Sequence, residues 1–444
     1  MCIRDRLSTH KVLSTPHAPE EAILLGLTEL GLQDSSLGSL YIVHGSTVAT
    51  NAVLEGKGVS CVFVTNHGLR DMLTIGRQTR RELYNLQPEP PPVPVAREYC
   101  LETGGRLAAD GSELEPLTTA ELAQLVKTIE KLAPTAVAIN LLFSSLDPRF
   151  EKAIEDALAE RFFVSRSSSI LPEFREYERG ITTWLNAYVG PLVAGYLERL
   201  QQGVPQAAVS VMQSSGGTIA ANQAGRQAVH MLLSGPAGGL AAAQFLGTAI
   251  EQTRLLTFDM GGTSTDVAMI DGALQLTSEG KIAGYPVAIP MVDMHTIGAG
   301  GGSIAYVDSG GLLQVGPESA GAAPGPACYD QGGERPTVTD ANLILGRLRP
   351  DAFLGGKMTL NAHAAQHAIQ TVAQSLGLSP EQAAEGVVRI ANEHMAHALR
   401  VMSVQRGIDP RELTLVSFGG AGGLHVCALA ESLGMRQAMV PIHA

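Results

Sequence analysis

A short glycine turn between two apolar runs concentrates the side chains that could hold a phosphate group. Two carboxylates, Asp259 and Asp266, flank the turn, and Gly261 and Gly262 expose backbone N–H groups within it. The hydroxyl residues of the turn are Thr263, Ser264 and Thr265. A nucleoside triphosphate is strongly anionic, so carboxylates beside it require a divalent cation, and the sequence predicts Mg²⁺, with another divalent metal as an alternative.

The same turn has a plainer interpretation. A Gly-Gly turn between two apolar strands is also an ordinary β-hairpin. It is not a P-loop, because no lysine follows the glycines and no helix opens directly behind them. The hydroxyl residues followed by Asp266 favour phosphate binding.

Glycine clusters recur at residues 234–239, 298–302 and 419–423. The last of these joins a predicted strand to a helix, and such a joint lets a nucleotide approach the backbone closely. Glycine turns before helices are often only packing joints, and a chain with 49 glycines produces some by chance.

These residues must be positioned by alternating strands and helices. Predicted strands cover 41–43, 59–65, 136–143 and 209–212, and a long helix is predicted around 181–200. Thr118 and Glu121 form a capping-box pattern for a helix to Leu132, and Asp147-Pro148 is predicted to supply the N-cap and first residue of another. The alternation predicts mixed α/β lobes.

Length and composition narrow the class of protein. The chain has 444 residues, more than one hydrophobic core usually supports. Its net charge of −12 argues against a nucleic-acid partner, which needs clustered Lys and Arg. Scattered cysteines, no apolar run of membrane-spanning length and no signal-peptide pattern predict a cytoplasmic protein without a membrane partner.

Several long segments carry a family resemblance. FDMGGTSTDVAMI, MHTIGAGGGSIAYVD, SAGAAPGPACYDQGGERPTVTDANLILGRL and VSFGGAGGLHVCALAE closely resemble the hydantoinase A / 5-oxoprolinase family. VHGSTVATNAVLEGKG and LPEFREYERGITTWLNAYVGPLV extend the likeness, which covers about residues 10–444.

The resemblance implies an actin-like ATPase fold with two lobes, each similar to ribonuclease H, that bind ATP. We expect an amino-terminal lobe over 10–190 and an ATP-binding lobe over 191–444. The implied activity is ATP-dependent hydrolysis of a cyclic amide, 5-oxoproline or a hydantoin, together with a hydantoinase B-type subunit. Two alternatives are the ATP-using subunit of an acetone- or acetophenone-type carboxylase, and an actin-like ATPase acting on a partner protein.

The family also implies a further glycine hairpin at its amino terminus, and nothing before His10 resembles one. We therefore expect residues 1–9 to be foreign to the family and the family sequence to continue beyond Ala444. On this expectation the chain as given aggregates and lacks ATPase activity, and a family-type hairpin in place of residues 1–6 restores ATP binding.

Roles for individual residues follow from the resemblance. The hairpin glycines and hydroxyls would hold the β- and γ-phosphates, and the adenosine would be flanked by Gly419, Gly420, Gly422 and Gly423. Asp293 and His295 stand two residues apart, which on a strand allows a shared metal ion or proton; alternatively Asp293 only fixes the tautomer of His295. The predicted metal ligands are Asp259, Asp266, Asp293 and His295, of which the last three are also predicted to be catalytic.

Residues of the first half could contact the substrate. His44 is a further catalytic candidate, although a histidine at a helix start is often a cap or a packing group. Arg77 and Gln78 could bind a substrate carboxylate or imide, because an arginine fork binds carboxylates bidentately; a solvated surface arginine is the alternative. Cys328 has no base beside it in sequence and is predicted to be buried.

Overall fold

A computed structural model describes residues 8–10, 12, 15, 18–32, 40–79, 84–87, 92–356 and 358–442. Residues 1–7, which belong to the predicted foreign start, lie outside this described part of the chain. Contacts divide the chain into two compact units, which we call the amino-terminal unit (Val12–Ala237 and Leu276–Met291) and the hairpin unit (mainly Gly238–Gln275 and Val292–Ala444).

The described helices are α1 (Pro19–Glu29), α2 (Val48–Leu54), α3 (Met72–Ile75), α4 (Thr119–Leu132), α5 (Arg149–Leu158), α6 (Ser167–Ile170), α7 (Glu176–Gly203), α8 (Ala221–Ala224), α9 (Ser234–Ala249), α10 (Val338–Ile344), α11 (Ala362–Leu376), α12 (Pro380–Val404) and α13 (Val426–Ser432). Short 3-10 helices cover Arg97–Tyr99, Ala228–Met231, Ala327–Tyr329, Phe353–Gly356, Pro410–Glu412 and Gly422–Leu424.

The described strands are β1 (Tyr41–His44), β2 (Cys61–Asn66), β3 (Cys100–Thr103), β4 (Arg106–Leu107), β5 (Glu113–Glu115), β6 (Ala136–Ile139), β7 (Phe163–Arg166), β8 (Ala208–Met212), β9 (Thr218–Ala220), β10 (Arg254–Met260), β11 (Thr265–Asp271), β12 (Ala273–Leu274), β13 (Leu276–Thr277), β14 (Gly280–Ile282), β15 (Tyr285–Val287), β16 (Met291–Val292), β17 (Met294–Ile297), β18 (Ser303–Val307), β19 (Leu313–Ser319), β20 (Thr414–Phe418) and β21 (Ala438–Met439). The predicted mixture of strands and helices is confirmed.

The amino-terminal unit contains a parallel sheet in the order β3-β2-β6-β7. A second sheet has the order β1-β8-β9, with β1 and β8 parallel. Helix α7 lies in the core of this unit, where Ile181, Trp184 and Leu185 are buried. The buried polar side chains of this helix are hydrogen-bonded, as buried polar groups usually are. The Thr183 hydroxyl donates to the Arg179 carbonyl oxygen, and Asn186 Nδ2 donates to Ser165 Oγ and to the Arg226 carbonyl oxygen.

Capping patterns in the sequence predicted the start of α4 correctly and the start of α5 to within one residue. The predicted capping box is confirmed at α4, where Glu121 N donates to Thr118 Oγ1 at 3.2 Å and Glu121 Oε2 accepts from Thr118 N at 3.1 Å. Helix α5 begins at Arg149, one residue later than predicted, because Pro148 takes the N-cap position. Asp147 nevertheless accepts a hydrogen bond from Arg149 N at 2.9 Å.

The hairpin unit is built around a mixed sheet in the order β12-β11-β10-β20-β21, with β17 also paired to β11. Strands β10 and β11 are antiparallel, whereas β10–β20 and β20–β21 are parallel. Helix α12 contributes buried residues at a spacing of one helical turn, and these belong to the same apolar core as Phe258 and Val267. The buried face includes Ala383, Val387, Ala391 and Met395.

The boundary between the two compact units differs from the boundary predicted from the sequence. A boundary between residues 190 and 191 falls within α7, which is one continuous helix, and the compact amino-terminal unit continues to Ala237. Apolar residues on either side of 190 pack into one core, so the predicted cut would divide that core. Within the described residues, the helices are too short or too polar to cross a membrane.

Candidate functional site

The predicted hairpin at residues 259–266 is present. Strands β10 and β11 pair from Arg254 opposite Asp271 to Met260 opposite Thr265, so Asp259 and Asp266 stand directly opposite each other. Directly opposed residues of antiparallel strands point to the same face of the sheet. The register therefore places both carboxylates side by side next to the glycine turn.

The environment of the two carboxylates disfavours negative charge. Burial, followed by the charge of Asp266, raises the pKa of Asp259 to about 6. Burial also raises the pKa of Asp266, against the hydrogen bond of 2.5 Å that Thr296 Oγ1 donates to it. A divalent cation would relieve this repulsion, and carboxylate oxygens are the ligands that Mg²⁺ prefers, so the pair fits such an ion.

The turn between the strands is held by a second glycine loop. Gly301 N donates to Gly261 O at 3.0 Å, and Gly302 N donates to Gly262 O at 2.6 Å. A β-carbon at Gly300 would lie 2.7 Å from the carbonyl carbon of Thr263. The cluster at 298–302 therefore contains glycine because its backbone packs directly on the hairpin turn.

The hydroxyl residues of the turn are not equivalent. Thr263 is exposed and Ser264 is half-buried, so both remain candidates for phosphate contact. Thr265 is fully buried, and its hydroxyl donates to the Ala299 carbonyl oxygen. The prediction that the Thr265 hydroxyl binds phosphate is therefore wrong, because that hydroxyl ties the two glycine loops together.

The third glycine cluster follows β20 and packs on the same hairpin. Gly419 has a φ of +83°, and a β-carbon there would lie 2.1 Å from Asp259 Oδ1. Ala421 N donates to Met260 O at 3.0 Å. A β-carbon at Gly422 would lie 2.4 Å from Ser417 Oγ, whereas Gly420 and Gly423 have open space or ordinary contacts around them. Gly419 and Gly422 thus serve packing, and Gly420 is free to face a ligand.

A cavity of about 500 Å³ opens beside the hairpin turn, within the hairpin unit. Its lining includes glycines from all three loops, namely Gly261, Gly262, Gly301 and Gly420. The remaining lining residues are Tyr329, Thr339, Arg347, Leu348, Arg349, Ala352, Phe353, Ala421 and Leu424. The cavity combines exposed backbone, cationic groups and the Tyr329–Phe353 ring pair, whose centroids are 5.6 Å apart.

Arg347, Arg349 and the two aromatic residues were not predicted as site residues. They lie far from the hairpin in sequence and carry no spacing pattern that could have indicated their position. Arg347, Arg349 and Phe353 lie between α10 and α11, and Tyr329 ends the 3-10 helix before α10, so only the tertiary packing of these two segments brings the four residues to the cavity.

Asp293 and His295 do not join the hairpin carboxylates. Asp293 forms an ion pair with Arg406. His295 is opposite Val267 in the β11–β17 register, whereas the residue opposite Asp266 is Thr296. Because neighbouring strand residues alternate between faces, His295 points away from the face that carries Asp266. The structure therefore does not bring the four predicted metal ligands together. The residue of β17 that contacts Asp266 is Thr296, which was not predicted.

The three candidates of the first half belong to the amino-terminal unit. His44 is half-buried and hydrogen-bonded to the Tyr196 hydroxyl, and burial lowers its pKa to about 4. The Arg77 fork already holds Glu178, with Nε 2.8 Å from Oε1 and Nη2 2.5 Å from Oε2, so it is not open to a substrate carboxylate. Gln78 is exposed with a φ of 51°.

Cys328 is fully buried, as predicted. Burial, together with the charge of Asp340, raises the pKa of its thiol. Asp340 completes the capping box of α10 and also accepts from Cys328 N at 2.8 Å. The thiol is part of the packing around that helix start.

Family comparisons cover most of the chain. Residues 179–444 match the model of the Hydantoinase/oxoprolinase family, and residues 2–162 match that of the Hydantoinase/oxoprolinase N-terminal region. The chain is 37% identical over 455 residues to caprolactamase subunit alpha of Pseudomonas jessenii, which covers 97% of this chain and 64% of the relative. It is 34% identical over 442 residues to 5-oxoprolinase 1 of Arabidopsis thaliana, covering 90% of this chain and 34% of the relative.

Solved structures similar to this chain include enzymes related to those found by sequence. The ATP-dependent caprolactamase of Pseudomonas jessenii superposes with a TM-score of 0.85 at 34% identity, covering 99% of this chain and 66% of that one. A nucleotide-free acetone carboxylase gives a TM-score of 0.83 at 28% identity, covering 98% and 65%. The chain thus spans about two thirds, or less, of the length of these proteins.

Proposed function

The chain belongs to the hydantoinase/oxoprolinase family, and from this premise we propose that it is the ATP-using part of an enzyme that opens a cyclic amide. The names of its relatives support ATP dependence and lactam chemistry. We further propose 5-oxoproline, a hydantoin or a similar small lactam as the substrate, and a hydantoinase B-type subunit as the partner. Cytoplasmic localisation stays a prediction.

One observation carries the proposal. Asp259 and Asp266 stand opposite each other at a turn whose backbone lines a cavity of about 500 Å³. Gly261 N already donates to Ser264 O at 3.0 Å, so a triphosphate over the turn would receive the N–H group of Gly262. Its charge would be balanced by a cation at the carboxylates. Arg347 and Arg349 add positive charge along the same cavity.

A bound Mg²⁺ would neutralise charge on the phosphates during transfer. The chain's own task is to hold the phosphates over the turn and to keep the two carboxylates in one geometry. Thr296 serves that geometry through its hydrogen bond to Asp266. Preorganised groups of this kind lower the barrier because they need not rearrange as charge develops.

The proposed reaction moves the γ-phosphoryl group of ATP to the amide oxygen of the ring. Water then adds to the activated carbon, the C–N bond breaks and the amine leaves with a proton. A second water releases phosphate from the resulting acyl phosphate. The products are the open-chain amino acid, ADP and phosphate.

The strand order of the hairpin unit also supports an actin-like ATPase fold. An antiparallel hairpin, β10–β11, extended by β17 and followed by the parallel strands β20 and β21, is the arrangement of a ribonuclease H-like lobe. Under this proposal the chain still consists of an amino-terminal lobe and an ATP-binding lobe, as predicted for 10–190 and 191–444. The division between them lies at the boundary of the two compact units and not at residue 190.

The test is ATP turnover by the protein with its B-type subunit, measured as phosphate released in the presence of caprolactam, 5-oxoproline or hydantoin. We expect at least one of these lactams to stimulate turnover, and Asp266→Ala to lower it by about 100-fold or more. Isothermal titration with Mg²⁺ and ATP measures binding separately. Equal affinity and turnover in the Asp266 variant would contradict the proposal.

A carboxylase subunit is the second candidate. It is favoured by the likeness to the acetone carboxylase structure over 98% of this chain. If acetone or acetophenone with bicarbonate stimulates ATP hydrolysis while all three lactams have no effect, this alternative replaces the first.

A further inference from the structure

A separate group of ligating side chains lies in the amino-terminal unit. His67 Nδ1 is 2.6 Å from Glu115 Oε1, and the ligand atoms of His67, Glu115 and Glu121 all lie within 4.8 Å of one another. Three elements supply them: His67 follows β2, Glu115 ends β5, and Glu121 lies in the first turn of α4. Residues this far apart in sequence meet here because of the fold.

The group borders a cavity of about 230 Å³, whose lining includes His67, Glu102, Thr103 and Glu121. Thr103 is 2% exposed, and its hydroxyl has no hydrogen-bond partner among the described residues. Buried hydroxyls in proteins are nearly always hydrogen-bonded. An unpartnered hydroxyl in the wall of this cavity therefore favours a polar ligand at this position.

The surrounding backbone holds the ligands in place. His67 N donates to Thr103 O at 3.2 Å. The capping box fixes the Glu121 carboxylate through Thr118, and a β-carbon at Gly104 would lie 3.2 Å from Glu121 Oε2. Glu102 accepts from Gly68 N at 2.8 Å and adds negative charge to the cavity wall. The side chains are thus oriented without any ion.

We propose that His67, Glu115 and Glu121 bind a divalent first-row transition cation of the Zn²⁺ type. Imidazole nitrogen and carboxylate oxygen are both ligands of such ions, and three protein ligands leave a coordination position open for water, whereas Mg²⁺ prefers oxygen ligands alone. The Thr103 hydroxyl would hydrogen-bond to that water, which accounts for its missing partner. The two carboxylates would balance the charge of the cation.

Titration of the full chain with Co²⁺, followed by visible absorption in the presence of excess Mg²⁺, tests the proposal. The Mg²⁺ is added to occupy oxygen-only sites such as the one proposed at the hairpin carboxylates. We expect one bound Co²⁺ per chain and about 10-fold or greater loss of affinity in His67→Ala, Glu115→Gln and Glu121→Gln. Glutamine at position 121 can still complete the capping box, so the start of α4 is retained. Glu113→Gln, on the same strand as Glu115, is the matched control and should bind as the wild type does.

The Thr103→Val variant tests whether the three side chains form a metal site or are only close to one another. If the hydroxyl serves a metal-bound water, the variant binds Co²⁺ several-fold more weakly while remaining folded by circular dichroism. If no Co²⁺ binds, if all variants bind equally, or if a sulfur-to-cobalt charge-transfer band shows binding at a cysteine such as the exposed Cys427, the proposal is wrong. ATP turnover is not the readout, so this result is independent of the proposed function.

Discussion

At the scale of single residues, the hairpin holds two carboxylates side by side, and their burial and mutual repulsion oppose ionisation. Asp259 and Asp266 are opposed in register and partly removed from water, and the pKa of Asp259 rises to about 6. The sequence indicated both residues because their types and spacing around a Gly-Gly turn are local features. It could not indicate Thr296, whose position depends on the pairing of β11 with β17.

Asp259→Asn should separate stability from binding. A carboxyl whose pKa is raised in the folded state destabilises the fold at neutral pH, and this destabilisation is relieved as the pH falls from about 6 towards 3.8. Without metal at pH 7.5 we expect the variant to be about 1–3 kcal/mol more stable in urea unfolding, with the gain disappearing near pH 4. Its Mg²⁺–ATP affinity should fall. Asp271→Asn, at the exposed end of the same hairpin, is the control, and a less stable Asp259 variant at pH 7.5 would contradict the prediction.

His425 should make the hairpin unit sensitive to acid. It is fully buried, its Nδ1 lies 2.6 Å from Asn392 Oδ1, and burial followed by the charge of Arg347 lowers its pKa to about 4. The unfolded chain therefore binds a proton below pH 6.5 that the folded chain refuses until about pH 4, so stability is lost across that interval.

The measurement is urea unfolding of the wild type and His425→Gln at pH 7.5 and 4.5. We expect the wild type to lose about 2–3 kcal/mol more than the variant between these pH values. An equal loss in both proteins would show that His425 does not titrate in this way.

At the scale of elements, the sequence predicted best where a signal is local. The Thr118–Glu121 capping box and the limits of the following helix are confirmed, because both partners of that interaction lie within one turn. The sequence analysis placed His295 with the carboxylates, whereas Thr296 is the residue opposite Asp266, because strand register depends on a partner elsewhere in the chain. The glycines at 298–302 were recognised as a cluster, but their support of the hairpin turn required the tertiary structure.

Gly300→Ala tests that support. A β-carbon there would meet the backbone of Gly262 and Thr263 at 2.7–2.8 Å, so one loop must move. We expect a loss of about 1–3 kcal/mol in the free energy of unfolding. Mg²⁺–ATP binding should also weaken, because the displaced turn is the proposed phosphate-binding segment. Gly262→Ala is the control for stability alone, since a β-carbon at that position meets nothing within 4 Å. Equal stability of the two variants would contradict this account of the loop.

At the scale of the whole molecule, the chain forms two compact units, and the hairpin, the glycine loops and the cavity all belong to one of them. The sequence predicted a two-part α/β protein from length and alternation. It placed the division at residues 190 and 191, whereas α7 runs through this position without a break and packs on both sides of it into one core, which only the tertiary contacts reveal.

Hydrogen exchange with and without Mg²⁺–ATP should reflect this distribution. We expect slowed exchange in peptides covering 259–266, 298–303 and 419–424, since all three line or support the same cavity. The effect should disappear in Asp266→Ala, and peptides covering α4 serve as the reference. Protection that persists unchanged in the variant would place the nucleotide elsewhere.

The order of strands in the hairpin unit has a consequence for how the protein is made. Strands β10 and β11 are neighbours in sequence and can pair as soon as both are synthesised, but the other neighbour of β10, β20, begins only at Thr414. Until then the apolar edge of β10 is open, and an open strand edge can pair with another chain. Pairing across such a separation is slow because the long intervening segment must first be brought back. Nascent chains should therefore depend on chaperones until β20 has been synthesised.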